Sequence, residues 1–281
     1  MIRLLAIDID GTLLDGRGRL PGAHRDALIE ASALGVEVAL VTGRSYHFTG
    51  PVVELLPIPL TLIVNNGAVV KRKSGETELR HVLSRDAARR VLDETRPFED
   101  SVAIVFDRPD ERQIVFERMD WSHPNRRGYY EKNKAFITGT PAPLRDMLTE
   151  DPIQVMFNGS VEPMRALAGA LRSLAIADQF SVAVTEYVGR DFSLVDVNAA
   201  GCSKGTTLAA WVQRRGWTPA DVAAFGDNFN DVEMLDFAGT AYLMGNADAA
   251  LKSRGYRVTA SNDEEGLAWA VRACLQCRDS G

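Results

Sequence analysis

Ile2-Arg3-Leu4-Leu5-Ala6-Ile7-Asp8-Ile9-Asp10-Gly11-Thr12-Leu13-Leu14-Asp15 is an apolar run that ends in two aspartates and a glycine. The run is too short for a helix and reads as a buried strand, which Gly11 breaks. Residues two apart in an extended chain point to the same side, so Asp8 and Asp10 aim their carboxylates into one small volume. That volume lies at the carboxyl end of a strand, where open α/β sheets place their ligands. Two close carboxylates repel unless something compensates. A hard divalent ion such as Mg²⁺ would relieve the repulsion. So would a division of labour in which one aspartate is a nucleophile and the other its protonated acid/base partner. The two solutions are compatible. Taken alone, the same residues also suit an Asx turn closing a strand.

A chain of 281 residues, 46% hydrophobic and 25% charged, has room for a sizeable core in one large domain or two ordinary ones. A net charge of −6 disfavours nonspecific binding to nucleic acid or an anionic membrane, yet leaves an anionic substrate open to a cleft with local cations. The sequence lacks an apolar stretch of membrane-spanning length. Asp8 arrives too early for a signal-peptide apolar region, so the expected location is the cytoplasm. Three cysteines make no disulfide framework, and Cys274-x-x-Cys277 reads as part of a final helix. Oligomeric state leaves no mark in the sequence.

Outward from the first strand, Pro21 opens a helix that Gly35 ends, and Val36 to Val41 is a second strand, giving a β-α-β start with parallel strands. Thr42-Gly43-Arg44 follows it and precedes a helix expected to run to about Leu56. A hydroxyl, a glycine and a helix start suit an oxyanion, and equally suit a plain turn. Leu60 to Val64 is a third strand, closed by Asn65-Asn66-Gly67. Val69–Lys71 and Thr77–Leu83 are expected to pair about Ser74-Gly75. Ser84 caps a helix, and Ser101–Phe106 and Arg112–Phe116 read as paired strands. Residues 118–134, polar and aromatic, read as a long loop whose bases and rings suit a phosphorylated or ring-bearing ligand, or simply solvent. Ile153–Phe157 is a strand, and a helix follows. Phe192–Val197 reads as the return to the first domain. Lys204 then opens a helix against the macrodipole, at a cost an anion there would offset. Val222–Phe225 leads into Gly226-Asp227-Asn228-Phe229-Asn230-Asp231, a second cluster of oxygen ligands past a strand, suited to Mg²⁺.

Asp8-x-Asp10-Gly11-Thr12, Thr42-Gly43-Arg44, Lys204 and Gly226-Asp227-x-x-Asn230-Asp231 stand in this order, each after an expected strand. The set resembles the haloacid dehalogenase superfamily, and within it the Cof-like phosphatases with a large α/β cap. Asn66-Gly67-Ala68, Ser203-Lys204-Gly205, Met244-Gly245-Asn246-Ala247 and Asn262-x-Glu264-x-Gly266 are also similar to that subfamily. Asn65 departs from it, standing where many relatives carry an acidic residue.

The resemblance implies an α/β fold: a Rossmann-like parallel-sheet core at about residues 1–81 and 191–281, with an α/β cap inserted at 82–190. It implies that Asp8 is the nucleophile taking the phosphoryl group, and that Asp10 protonates the leaving oxygen and later activates water. Thr42, with Gly43, would hold the phosphoryl group, Lys204 would counter its charge, Arg44 would face the substrate, and Asn230 would contact the phosphate or the metal. Mg²⁺ would sit on Asp8, the Asp10 backbone carbonyl and Asp227, with Asp231 behind them. The expected activity is Mg²⁺-dependent hydrolysis of small phosphomonoesters, either sugar phosphates or phosphorylated cofactors. A phosphomutase or phosphotransferase of the same fold, or a phosphate-binding module without chemistry, is the alternative; a dehalogenase fits less well because Asp10 and the metal ligands serve phosphate chemistry. Substrate choice is expected to lie in the cap, with His123, Arg126, Arg127 and Tyr129 as the residues to alter it.

Overall fold

A computed structural model describes residues 1–109 and 112–276. Fourteen strands and nine α-helices alternate along these residues. The strands are β1 (Leu4–Ile7), β2 (Glu37–Val41), β3 (Thr61–Val64), β4 (Val69–Arg72), β5 (Thr77–Arg80), β6 (Val102–Val105), β7 (Ile114–Phe116), β8 (Ile137–Gly139), β9 (Gln154–Gly159), β10 (Phe180–Tyr187), β11 (Phe192–Ala199), β12 (Val222–Gly226), β13 (Thr240–Leu243) and β14 (Arg257–Val258). The helices are α1 (Gly22–Ala33), α2 (Tyr46–Val53), α3 (Arg85–Glu94), α4 (Pro124–Asn133), α5 (Val161–Arg172), α6 (Lys204–Arg214), α7 (Val232–Phe237), α8 (Ala249–Lys252) and α9 (Gly266–Gln276). Among the described residues no helix is long and apolar enough to cross a membrane.

The chain divides into two compact units, residues 1–79 with 203–281, and residues 80–202. The first is built on an eight-stranded sheet in the order β14-β13-β12-β1-β2-β3-β4-β5. Its centre is parallel: Leu4 to Ile7 pairs with Val222 to Phe225 on one side and Glu37 to Leu40 on the other. A central parallel strand is buried on both faces, which is why Leu4-Leu5-Ala6-Ile7 is apolar throughout and not alternating. Leu4, Ala6, Ala39, Val41, Ile63 and Ala224 pack with Leu208, Trp211 and Val212 of α6 and Met234 and Leu235 of α7. The alternate residues, among them Leu5, Ile7, Leu40 and Leu62, face the other way and are equally buried. The α/β class and the parallel core read from the sequence are what this sheet displays.

The second unit carries a six-stranded, largely antiparallel sheet, β10-β11-β9-β6-β7-β8. Leu83, Ala87, Ala88 and Val91 at α3, and Met164, Leu167 and Leu171 of α5, pack on Val102, Ile104, Val155 and Phe157.

Here the structure corrects the sequence reading. The expected boundary at 190/191 falls inside this unit, because β11 is not a core strand. It pairs antiparallel with both β10 and β9, and Val195 and Val197 are buried in the second unit's own core. The boundary therefore lies at Cys202, and its partner at Leu79 and not residue 81. The expected loop at 118–134 contains α4, which His123 caps with Nδ1 accepting from Asn125 N and which Pro124 starts. Helix α2 holds Pro51 and ends at Val53, short of Leu56. Cys274 is buried on α9, and Cys277 lies outside the described residues.

Candidate active site

The loops at the carboxyl ends of β1, β2 and β12 and the start of α6 bring the four sequence stations together. Asp8 directly follows β1; its N–H still bonds Phe225 O at 3.0 Å, and its carbonyl accepts from Leu13 N at 3.1 Å. This tight turn needs Gly11 at φ +84°, a conformation that penalises side chains. A second constraint applies at the same residue. A Cβ on Gly11 would lie 2.2 Å from Oδ2 of Asp227, so only glycine lets that carboxylate approach the loop.

Lys204 is the electrostatic centre. It is 1% exposed, and its Nζ donates to Asp8 Oδ1 and to Asp231 Oδ1, both at 2.6 Å. The anion expected at the first turn of α6 is thus a pair of the protein's own carboxylates. Burial alone would lower the lysine's pKa, but Asp231 and Asp8 outweigh it and hold the ammonium charged well above the usual range. One cation does not balance the cluster. Burial pushes Asp8 up to about 7, with Lys204 opposing and Asp231 and Asp10 adding to the rise. Burial, then Asp8 and Asp231, push Asp227 well above the ordinary carboxylate range.

Asp8, Asp227 and Asp231 each offer an oxygen within 4.8 Å of the others. These hard donors, short of positive charge, fit a divalent cation of the Mg²⁺ type. Their hydrogen bonds differ, however. Both oxygens of Asp231 are occupied, Oδ1 by Lys204 and Oδ2 by the N–H groups of Asp227 and Asn228, each at 3.0 Å. Asp227 has Oδ1 on the Thr12 hydroxyl at 3.1 Å, and Asp8 uses only Oδ1 on Lys204. Asp231 therefore supports the loop that carries Asp227, and Gly226 permits this: a Cβ there would meet Asp231 Cβ at 2.6 Å.

The remaining stations are held from behind. Thr42 is buried, and its hydroxyl accepts from Arg44 N at 3.1 Å across Gly43. Arg44 reaches Asp10, with Nε on Oδ2 at 2.7 Å and Nη2 on Oδ1 at 2.6 Å, a bidentate fork. Asn65 N bonds Arg44 O and Asn66 N bonds Thr42 O, so the Asn-Asn-Gly corner braces this loop. Asn230, expected to contact the phosphate or the metal, donates Nδ2 to Asn66 Oδ1 at 2.9 Å. Sequence reading gave Asn66 no role; the turn signal was visible, but its partner is 164 residues away.

Of the residues expected to set substrate choice, Arg126 is accounted for within its own unit. Its side chain is 6% exposed and donates to Asn158 Oδ1 at 2.7 Å, Ser101 Oγ at 2.8 Å, Asp120 O at 3.0 Å and Asn158 O. These bonds hold the guanidinium inside its own unit, where Arg126 also lines an apolar cavity. His123 contacts Asp191 O at 3.3 Å, and Arg127 donates to Trp121 O at 3.2 Å. Tyr129 helps line an apolar cavity with Phe116, Trp121, Tyr130 and Phe192.

A family model of haloacid dehalogenase-like hydrolases matches residues 5–271. Among curated proteins, pyridoxal phosphate phosphatase YbhA of Escherichia coli (strain K12) is 28% identical, covering 97% of this chain and 98% of its own. The 5-amino-6-(5-phospho-D-ribitylamino)uracil phosphatase YcsE of Bacillus subtilis (strain 168) is 27% identical over 96% of this chain and 95% of its own. Among solved structures, a haloacid dehalogenase-like hydrolase from B. subtilis superposes with a TM-score of 0.80 at 21% identity, over 96% of this chain and 99% of that one. A second, from Bacteroides thetaiotaomicron, gives 0.78 at 23%, over 98% and 100%. At these identities the two structures speak for the fold.

Proposed function

This chain belongs to the haloacid dehalogenase-like hydrolases and is a phosphoric monoester hydrolase, and from that premise we propose that it splits small phosphomonoesters with Mg²⁺ through a phosphoryl group carried on Asp8. The observation that carries the reading is the buried Asp8–Lys204–Asp231 chain facing Asp227, three carboxylates around one cation. Asp8, the Asp10 backbone carbonyl and Asp227 would hold Mg²⁺. When bound, it supplies the charge neutralisation that phosphoryl transfer chiefly demands.

Asp8 attacks phosphorus opposite the ester oxygen; the Asp8–phosphorus bond forms as the ester bond breaks. Asp10 gives its proton to the departing alcohol oxygen. In the second half Asp10 takes a proton from water, whose oxygen bonds phosphorus while the bond to Asp8 breaks, releasing inorganic phosphate. With both oxygens of Asp10 accepting from Arg44, proton delivery requires one of those contacts to open. That would free the guanidinium for the phosphoryl group, alongside Thr42, Gly43, Asn230 and Lys204. The two phosphatase relatives named above act on pyridoxal phosphate and on a phosphorylated ribitylaminouracil, so ring-bearing esters head the candidate substrates, ahead of sugar phosphates.

A screen of phosphate release over pyridoxal phosphate, flavin mononucleotide, nucleotides and sugar phosphates tests the reading. Release should need Mg²⁺ and no acceptor alcohol, and Ca²⁺ should replace Mg²⁺ poorly. Full turnover after exhaustive chelation would sink the metal assignment; release that depends on an added acceptor would favour a phosphotransferase.

A further inference from the structure

Two stretches singled out in the sequence have no part in the chemistry above, Met244-Gly245-Asn246-Ala247 and Asn262-x-Glu264-x-Gly266. In the structure they meet. Asn246 follows β13, is exposed, and lies at the rim of the aspartate cluster. Its Nδ2 donates to Gly11 O at 2.9 Å and reaches Asp227 Oδ2 at 3.4 Å. A carboxamide nitrogen carries two hydrogens, so one group can address both acceptors. Its Oδ1 accepts from Asn262 N at 3.1 Å, which fixes which end of the carboxamide faces the loop.

The second stretch is built to hold that contact. Asn262 is 4% exposed and donates Nδ2 to Leu14 O at 2.7 Å, tying the turn to the other end of the catalytic loop. Ser261 and Glu264 close a capping box over the same turn. Gly245 and Gly266 admit the close packing: a Cβ on Gly245 would stand 2.8 Å from Ser261 N, and one on Gly266 2.0 Å from Ala260 O. Asp227 is thereby addressed from several sides, by Thr12 on Oδ1, Asn246 toward Oδ2, and the α-carbon of Gly11.

We propose that Asn246, oriented by Asn262, is a positioning residue that sets the Asp227 carboxylate and the Gly11 peptide for Mg²⁺ binding. The inference rests on the metal reading above. Groups that orient a metal ligand are typically worth about 10–100-fold in affinity or activity. An exposed side chain contributes little to the fold itself, which separates this role from mere loop bracing.

The test is calorimetric titration of Mg²⁺ into the full chain, alongside the melting temperature in chelator. Asn246→Ala should weaken Mg²⁺ binding by about 10-fold or more, leave the chelated melting temperature close to the parent's, and recover much of kcat at saturating Mg²⁺. Asn262→Ala should weaken Mg²⁺ binding in the same direction while also lowering the chelated melting temperature, since that side chain is buried. Parent-like Mg²⁺ affinity in Asn246→Ala overturns the inference and leaves the phosphatase reading standing. So does a lowered melting temperature with unchanged affinity, the signature of bracing. Absence of Mg²⁺ binding by the parent overturns both the metal assignment and this inference.

Discussion

Lys204 and Arg126 are both cations drawn out of water, at 1% and 6% exposure, one in each unit, and they are treated in opposite ways. Lys204 meets two buried carboxylates and is held charged by them. Arg126 meets a carboxamide, a hydroxyl and backbone carbonyls; its nearest carboxylate, Asp120 at 3.3 Å, is 44% exposed, and burial dominates by lowering its pKa. Four bonds to neutral acceptors tie the guanidinium to the elements around it, as a scaffold requires. Carboxylates crowded beyond the lysine's single charge leave a deficit of positive charge, which a divalent cation would offset. A buried cation's partners, more than its burial, tell chemistry from construction.

The comparison breaks or sharpens first on those partners. Asp8→Asn should abolish phosphate release while the circular dichroism spectrum and expression stay those of the parent. Asn158→Ala, on the Arg126 side, should keep kcat within about twofold for the folded protein while lowering stability by about 1–3 kcal/mol, the cost of a disrupted buried hydrogen bond. Loss of turnover in the second variant, at a temperature where it is folded, would contradict the division.

Next in size is Asp10→Asn, expected to cost about 10²–10⁴ in kcat, the worth of a general acid–base group. The loss should be smaller for an aryl phosphate whose leaving group needs no proton; an equal loss on all esters would remove Asp10 from proton transfer. The cations themselves come third. Lys204→Met should cost about 10²–10³ in kcat, as expected for one preorganised electrostatic partner of the transferring group. Arg126→Met should leave kcat nearly intact and lower stability in urea by about 2–4 kcal/mol.

The smallest effect is a pH window. Burial raises the Asp8 carboxyl to about 7, well above the ordinary carboxylate range. The folded chain therefore binds that proton more readily than the unfolded one. Its contribution to stability is full below about pH 4 and is lost as pH rises through about 7. In chelator the melting temperature should fall across that window by a few degrees. Added Mg²⁺, which needs ionised carboxylates, should raise it more at pH 8 than at pH 5. A chelated protein that gains stability over the same range would show that Lys204 wins the local balance.

The four stations of the candidate site were legible because each is a local statement. Period-two aspartates, a glycine where φ must be positive and a lysine at a helix start are visible within a few residues. Confirmation in space is another matter for Asn66 and Asn246, whose partners lie 164 and 235 residues away. Strand β11 was misplaced because an apolar run such as Phe192–Val197 announces burial without naming its sheet. Helix α4 was hidden because Pro124–Asn133 has no apolar period and includes Gly128; only Pro124 and the capping His123 marked it. That Arg126 is turned inward was not legible, because composition cannot tell a basic side chain facing solvent from a buried one.

The placement of β1 between β2 and β12 has a consequence for how the protein is made. Its first neighbour emerges from the ribosome almost at once, its second only after residue 222. At roughly 5–20 residues per second, Asp8 waits on the order of 10–45 s for Asp231. Within that interval residues 80–202 emerge as a continuous stretch with its own sheet and core, free to fold as a unit. The half-built first sheet meanwhile exposes the edge of β1 that β12 will cover, a liability that a nascent chain must carry or have shielded. The aspartate cluster is thus completed late in synthesis, and a translation product interrupted before Lys204 carries Asp8 without Lys204, Asp227 or Asp231.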